Sequence, residues 1–284
     1  MKVIDHLRKA DRTLLSFEIL PPLKGKDINS IYEGIDPLLE FKPSFINVTY
    51  HREEVVYKER GQGLLQKIRI RKRPGTVGIC AMIKAKYNID TVPHLICGGF
   101  TKEDTEDALI ELNFLGIDNV LALRGDAIKS EPAFIPERDG HAHATALIRQ
   151  IAGLNKGSYL YEEEQEASPT DLCIGAACYP EKHLEALNLA TDIAYLKQKV
   201  DAGADYLVTQ MFFDNAKYFR FVELCRAEGI QVPIIPGLKP LTTMKHIAFI
   251  PKTFSIDLPD AFARDLMACK TDADVKRVGI AWST

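Results

Sequence analysis

Apolar runs of strand length alternate with segments of helical spacing along most of the 284-residue chain, and run after run stops in a polar or charged residue. Those two features, in a chain of the length of one eight-fold barrel, predict an α/β fold of the (β/α)8 TIM barrel type. The plainest instance is Asn119-Val-Leu-Ala-Leu-Arg-Gly-Asp126. Val120 to Leu123 are uninterrupted aliphatics, which is what a strand covered by helices on both faces requires. Arg124, Gly125 and Asp126 then fall outside the carboxyl end of that strand, where parallel α/β folds place their chemistry.

Taken in order, residues 1 to 12 predict a short helix and Thr13 to Leu20 the first strand, closed by Pro21-Pro22, which can continue neither helix nor ladder. Glu18 is thereby held near a strand end among Phe17, Ile19 and Leu20, and burial there would raise its pKa. Ile28, Ile31, Ile35, Leu38 and Leu39 give a helix, and Phe45 to Tyr50 the second strand, with Thr49 and Tyr50 at the rim. The basic run Lys67 to Arg73 lacks interleaved aromatics and predicts a solvated face. A helix over Val77 to Ala85 precedes the third strand, Val92 to Cys97, with His94 inside it. Thr101-Lys-Glu-Asp104 carries the N-cap signature of the next helix, which Gly116 stops. Residues 127 to 171 break the rhythm, recovering helical spacing over Ala142 to Gly153 and ending in a solvent-facing acidic run, Glu162 to Glu166. The fifth strand, Leu172 to Cys178, runs into Tyr179-Pro-Glu-Lys-His183; Asp192 to Val200 is amphipathic. Tyr206 to Phe213 and Val232 to Leu238 predict strands six and seven, flanking a helix over Tyr218 to Glu228. The remainder is helical, with a proline-interrupted link over Ile250 to Pro259. No eighth strand is identifiable, and Ala273 to Thr284 reads as a helix cut off partway, so the expectation is one catalytic barrel domain over 1–284 that is truncated at its C-terminus.

Thirty-six basic against 39 acidic residues give a formal charge of −3, which provides no field for nucleic acid or a lipid surface. Six cysteines without CxxC spacing are neither a disulfide scaffold nor a zinc site, and no residues are assigned to a metal. His141 and His143 stand two apart, which cannot face one way on a helix. The charged N-terminal stretch lacks the apolar core of a signal peptide, so a cytoplasmic, non-membrane protein is expected.

GxGxxG after a strand, GxxxxGK[ST], HExxH and GxSxG are all missing. What the strand ends offer is two carboxylates (Glu18, Asp126), a hydroxyl (Thr49), an amide (Gln210) and cations (Arg124, His183, Lys199). Such an inventory suits an organic redox cofactor to which the protein supplies protons and hydrogen bonds.

The segments Ser16-Phe-Glu-Ile-Leu-Pro-Pro22, Asn47-Val-Thr-Tyr50, Pro93-His-Leu-Ile-Cys97, Ala122-Leu-Arg-Gly-Asp126, Ala177-Cys-Tyr-Pro-Glu-Lys-His183, Lys199-Val-Asp-Ala-Gly-Ala204 and Thr209-Gln-Met-Phe-Phe-Asp214 occur in that order. Jointly this set resembles the methylenetetrahydrofolate reductase family of the bacterial type. The resemblance implies FAD at the C-terminal face, NADH or NADPH as co-substrate, and reduction of methylenetetrahydrofolate to 5-methyltetrahydrofolate by a two-step hydride relay. It implies Glu18 as the acid that assists iminium formation, and Asp126 as the carboxylate near the flavin pyrimidine edge that also holds the pterin. Gln210 matches the amide that contacts folate and nicotinamide in turn, and Thr49 the hydroxyl near the reactive flavin nitrogen. Tyr50, His94, Arg124, Gly125, Ala144, Tyr179, His183, Asp192 and Lys199 fall where the family contacts FAD, and a homo-oligomer is expected.

Cys178 departs from the small residue expected there, and the family's last strand and its eukaryotic regulatory domain have no counterpart. Two rivals carry different expectations: another flavin barrel of the proline dehydrogenase kind, and a non-catalytic binding barrel suggested by the adhesion-type tripeptide Arg124-Gly125-Asp126. The tripeptide closes a buried strand, which argues against adhesion.

Overall fold

In the computed structural model, residues 1–128, 131–161 and 167–284 are described; the acidic run Glu162 to Glu166 lies outside them. Two compact units divide the chain, Met1–Gly175 and Ala176–Thr284.

In the first unit, strands β1 (Ser16–Ile19), β2 (Phe45–Val48), β5 (Asp90–Ile96) and β6 (Asn119–Leu123) lie side by side in that order, all parallel. The α/β class and parallel pairing agree with the expected barrel type. Register fixes which side chains share a face. Glu18 pairs with Asn47 and Asn47 with Val92, while His94 pairs with Leu121. Because side chains alternate along a strand, Glu18, His94 and, one step past β2, Thr49 belong to one face. Helices α2 (Asn29–Ile35), α3 (Thr76–Tyr87), α4 (Lys102–Phe114) and α5 (Ala144–Leu154) connect the strands. The cap at α4 is the expected one: Thr101 Oγ1 accepts from Asp104 N at 3.1 Å, and Asp104 Oδ2 accepts from Thr101 N at 2.9 Å. Gly116 follows at φ +64°.

At the amino ends of the strands, α1 (Val3–Lys9) is docked by polar residues. Asn119, 1% exposed, accepts from Val3 N through Oδ1 at 2.7 Å, and His6 Nε2 lies 2.8 Å from Asp90 Oδ2.

One feature is absent from the sequence reading. Between β2 and α3 the chain forms an antiparallel hairpin, β3 (Glu54–Glu59) and β4 (Leu65–Ile70). Its turn needs left-handed backbone, supplied by Gly61 at φ +86° and Gly63 at +74°. Lys67, Arg69, Arg71 and Lys72 of the basic run are exposed, as a solvated face requires.

Strand β7 (Cys173–Cys178) carries the chain from the first unit into the second. The second unit continues with α6 (Leu189–Asp201), β8 (Tyr206–Thr209), α7 (Asn215–Ala227) and β9 (Ile234–Ile235), with β8 and β9 parallel. Both strands are shorter than the apolar runs predicted. Side chains take over the backbone bonds at their ends: Gln210 Oε1 accepts from Met211 N at 2.9 Å, and Thr209 Oγ1 from Gly237 N at 2.9 Å. The surplus apolar residues pack instead of pairing, Phe212 stacking on Tyr218 at 5.0 Å.

Helix α8 (Met244–Phe254) runs through Pro251, so the proline-interrupted link begins later than expected, at Ser255. Together with α9 (Asp260–Met267) and α10 (Asp272–Ser283) it encloses an apolar cluster of Phe213, Leu241, Ile250, Ile256, Phe262, Leu266 and Val275. Trp282 stacks on Phe262 at 4.8 Å and donates to Phe213 O at 2.9 Å. Among the described residues there is no eighth parallel strand, as the sequence reading expected.

Candidate active site

The carboxyl ends of β1, β2, β5 and β6 bring the first unit's expected site residues to one rim. Glu18 projects from β1 with its side chain 61% exposed, so the burial that would have raised its pKa is not met. Its Oε2 lies 3.7 Å from His94 Nε2. His94 is only 5% exposed, and burial, reinforced by the charge of His51, pulls its pKa down to about 4. It is therefore neutral at pH 7. Its Nε2 has no hydrogen-bond partner among the described residues, an arrangement that buried polar atoms rarely tolerate.

Thr49, one step past β2, extends the ladder: its N donates to Ile19 O at 3.1 Å and its Oγ1 to the same oxygen at 3.3 Å. Tyr50 meets Phe100 edge-on at 5.0 Å, and burial raises its hydroxyl pKa against the opposing charge of Arg71. Beyond β6, Arg124 O accepts from Gly98 N at 3.2 Å, which prolongs the β5–β6 pairing into the rim. The Arg124 guanidinium lies 5.0 Å from the centre of the Phe134 ring. Gly125 takes φ +83°, and a Cβ there would come within 3.2 Å of Ile96 Cδ1. Asp126 follows, close enough to His51 for its charge to oppose the pKa lowering that burial and Arg73 impose on that imidazole. Ala144 opens α5 behind His143, which makes no side-chain cap, so the helix presents N–H groups suited to an anion. His141 Nε2 is hydrogen-bonded to Gln150 Oε1.

The second unit carries its own strand-end cluster. Tyr179 and His183 meet edge-on at 4.8 Å. Lys199 Nζ donates to Ala177 O at 2.9 Å and lies 5.8 Å over the Tyr179 ring. Asp192 Oδ2 accepts from His183 N at 2.7 Å, so α6 holds this loop by a charged acceptor. Gln210 N donates to Cys178 O at 2.8 Å, which fixes the amide just past β8. Asp214, the last residue of the segment Thr209 to Asp214, caps α7 by accepting from Ala216 N at 2.8 Å. Cys178 is buried, and that burial holds its thiol well above the ordinary range against the opposing charge of Lys199.

Sequence reading missed Arg52 and Glu131. Arg52 grips Glu131 through both terminal nitrogens, at 3.0 and 3.1 Å, with side chains 10% and 15% exposed. A cleft of about 970 Å3 in the first unit is lined by Tyr50, Arg52, Phe100, Glu131 and residues of α3 and α4.

The methylenetetrahydrofolate reductase family model matches residues 2–284. Methylenetetrahydrofolate reductase (NADH) 1 of Arabidopsis thaliana is 32% identical over 297 residues, covering 100% of this chain and 45% of the relative. The chain thus spans about half the length of that plant relative. The 5,10-methylenetetrahydrofolate reductase of Salmonella typhimurium is 28% identical over 264 residues, covering 93% of this chain and 77% of that protein. A Caenorhabditis elegans relative, 29% identical over 272 residues and 95% of this chain but 37% of its own length, bears the name "Probable methylenetetrahydrofolate reductase (NADPH)". Among solved structures, an uncharacterized Clostridium thermocellum protein, described as binding two copies of 5-methyl-5,6,7,8-tetrahydrofolic acid, superposes with a TM-score of 0.56 at 15% identity, covering 99% of this chain and 85% of its own. That likeness establishes the fold alone. With the family pattern matched from residue 2 to residue 284, the chain belongs to the methylenetetrahydrofolate reductase family.

Proposed function

We propose that this chain reduces 5,10-methylenetetrahydrofolate to 5-methyltetrahydrofolate with electrons from NADH or NADPH passed through bound FAD. The observation that carries the reading is the family match over residues 2–284. The relatives' names include both NADH and NADPH, so the nicotinamide stays unassigned.

The residues at the first unit's rim fit a flavin. Buried His94 Nε2 awaits a hydrogen-bond partner that a ligand hydroxyl or ring atom would provide, and Gly125 keeps a side chain out of the space beside Ile96. FAD supplies, when bound, the capacity to accept and return a hydride. By the family resemblance, Thr49, Tyr50, His94, Arg124, Gly125, Asp126, Ala144, Tyr179, His183, Asp192 and Lys199 would hold it. Arg124 and Lys199 offer cations to its ribityl or pyrophosphate oxygens.

Glu18 Oε2 would donate a proton to the folate nitrogen that departs when the methylene bridge opens to an iminium. Its exposure lets it recover a proton from solvent between turnovers. Asp126 would orient the pterin through its carboxylate, and Gln210 would contact folate and nicotinamide in turn. Gln210 follows directly on β8, and Asp126 stands two residues past the last β5–β6 bond, at Arg124 O.

An anaerobic titration tests the assignment. NADH or NADPH should bleach the flavin band near about 450 nm, and methylenetetrahydrofolate should restore it. Flavin-loaded protein that fails either half-reaction would refute the reading.

A further inference from the structure

Arg52 is not among the residues that the family resemblance assigns to the cofactor, yet its surroundings are those of a supporting element. The bidentate pair with Glu131 joins positions 79 apart in sequence, and both side chains are nearly buried. Geometry of this kind is directional as well as strong, and it exploits the planar fork of arginine. Glu131 Oε2 also accepts from Ile128 N at 3.4 Å. The second anchor is Glu137, 3.9 Å from Arg52 and 3.5 Å from Arg69 on β4.

What the pair holds in place follows from the two glycines after β5. The aliphatic stem of Arg52 lies across Gly98 and Gly99, where added Cβ atoms would come within 3.2 Å of Arg52 Cδ and 3.4 Å of Arg52 Cβ. Phe134 Cε2 also lies 3.2 Å from the Cβ position at Gly98, and the same ring lies 5.0 Å from the Arg124 guanidinium. A short physical path therefore runs from Arg52 through Glu131 and Phe134 to Arg124.

We propose that Arg52 is a positioning residue for the flavin site, its ion pair with Glu131 fixing the turn that presses Phe134 against the Arg124 guanidinium. The inference rests on the flavin reading above and adds to it a residue that the family resemblance does not place against the cofactor. Supporting groups behind a metal ligand are commonly worth about tenfold or more in affinity, and a flavin contact held from behind depends on the same preorganisation.

The test is a double-mutant cycle on the full chain, read as FAD dissociation constant by flavin fluorescence and as melting temperature without FAD. Arg52→Met and Phe134→Leu should each weaken FAD binding about tenfold. The double variant should be no weaker than either single one, because both cut the same path. Arg52→Lys, keeping the charge without the fork, should recover part of the loss, and it completes the cycle with Phe134→Leu if Arg52→Met does not fold. A merely structural role would instead lower the melting temperature and leave the FAD constants within twofold, overturning the proposal. Losses that multiply to about 100-fold in the double variant would overturn it as well. Wild-type protein that takes up no FAD would overturn both this inference and the flavin reading, whereas normal uptake by wild type and Arg52→Met alike would overturn the inference alone.

Discussion

Replacing His94 by glutamine should flatten the acid limb of the stability profile. His94 has a folded pKa of about 4, set by burial and by His51, against 6.5 for the ordinary imidazole. As pH falls below about 6.5 the unfolded chain takes up the proton first, so folding loses stability across the window from 6.5 to 4 and no further below it. At 1.36 kcal/mol per pKa unit, the full loss is about 3 kcal/mol, of which about 2 kcal/mol has gone by pH 5. Carboxylates titrate in the same range, so the informative quantity is the difference between wild type and His94→Gln. Urea unfolding of both at pH 7 and pH 5, without added ligand, gives it directly. Glutamine carries no titrating group, and the wild type should lose about 2 kcal/mol more than the variant between the two pH values. Parallel profiles would show that His94 is not held neutral by burial.

Glu18→Gln should leave the bleaching of bound flavin by NADH or NADPH near the wild-type rate while slowing its return by methylenetetrahydrofolate about 10²- to 10⁴-fold, measured by anaerobic stopped-flow absorbance. Equal loss in both half-reactions would remove Glu18 from the acid role. Gly125→Ala combines a non-glycine residue at φ +83° with a Cβ 3.3 Å from Ile96 Cβ, and should cost about 2–4 kcal/mol in urea unfolding; a change under about 0.5 kcal/mol would show that the rim relaxes around it.

Much of this arrangement was written locally. The aliphatic run Val120 to Leu123, the cap at Thr101 and the stop at Gly116 each depend on neighbours within a few residues, and each is found where those neighbours put it. The hairpin at 54–70 escaped because charged residues interrupt its short apolar runs, although Gly61-Gln-Gly63 between Val55-Val-Tyr57 and Leu64-Leu65 is a hairpin signal. Strands six and seven were drawn too long because an apolar run reports burial, not pairing: Phe213 is buried, but among Leu241, Ile250 and Phe262 of a helical cluster. In the first unit's site, the shared face of Glu18, Thr49 and His94 depends on register between strands up to 76 positions apart, and the Arg52–Glu131 pair on two loops 79 apart. Neither leaves a trace in a window of a dozen residues.

Polarity at a strand end is also a weaker signal than it looks. Strand β6 begins with Asn119 and runs out into Arg124-Gly125-Asp126, and the two ends serve opposite purposes. Asn119 is engaged at both atoms of its amide: its oxygen accepts from Val3 N at 2.7 Å and its nitrogen donates to Met1 O at 3.1 Å, which holds α1 in place. Asp214 is likewise occupied by the backbone it caps. His94 Nε2 has no hydrogen-bond partner among the described residues although it is buried. Of these three groups, two bind backbone and one does not, and only that one stands among the residues proposed for the cofactor. Asn119→Ala strands a buried N–H and should cost about 1–3 kcal/mol of stability while leaving the FAD dissociation constant of the folded protein within twofold. His94→Gln should weaken FAD binding in protein that is fully folded at pH 7. Should Asn119→Ala impair FAD binding as much as His94→Gln does, an unsatisfied buried atom would be no guide to where this chain binds its cofactor.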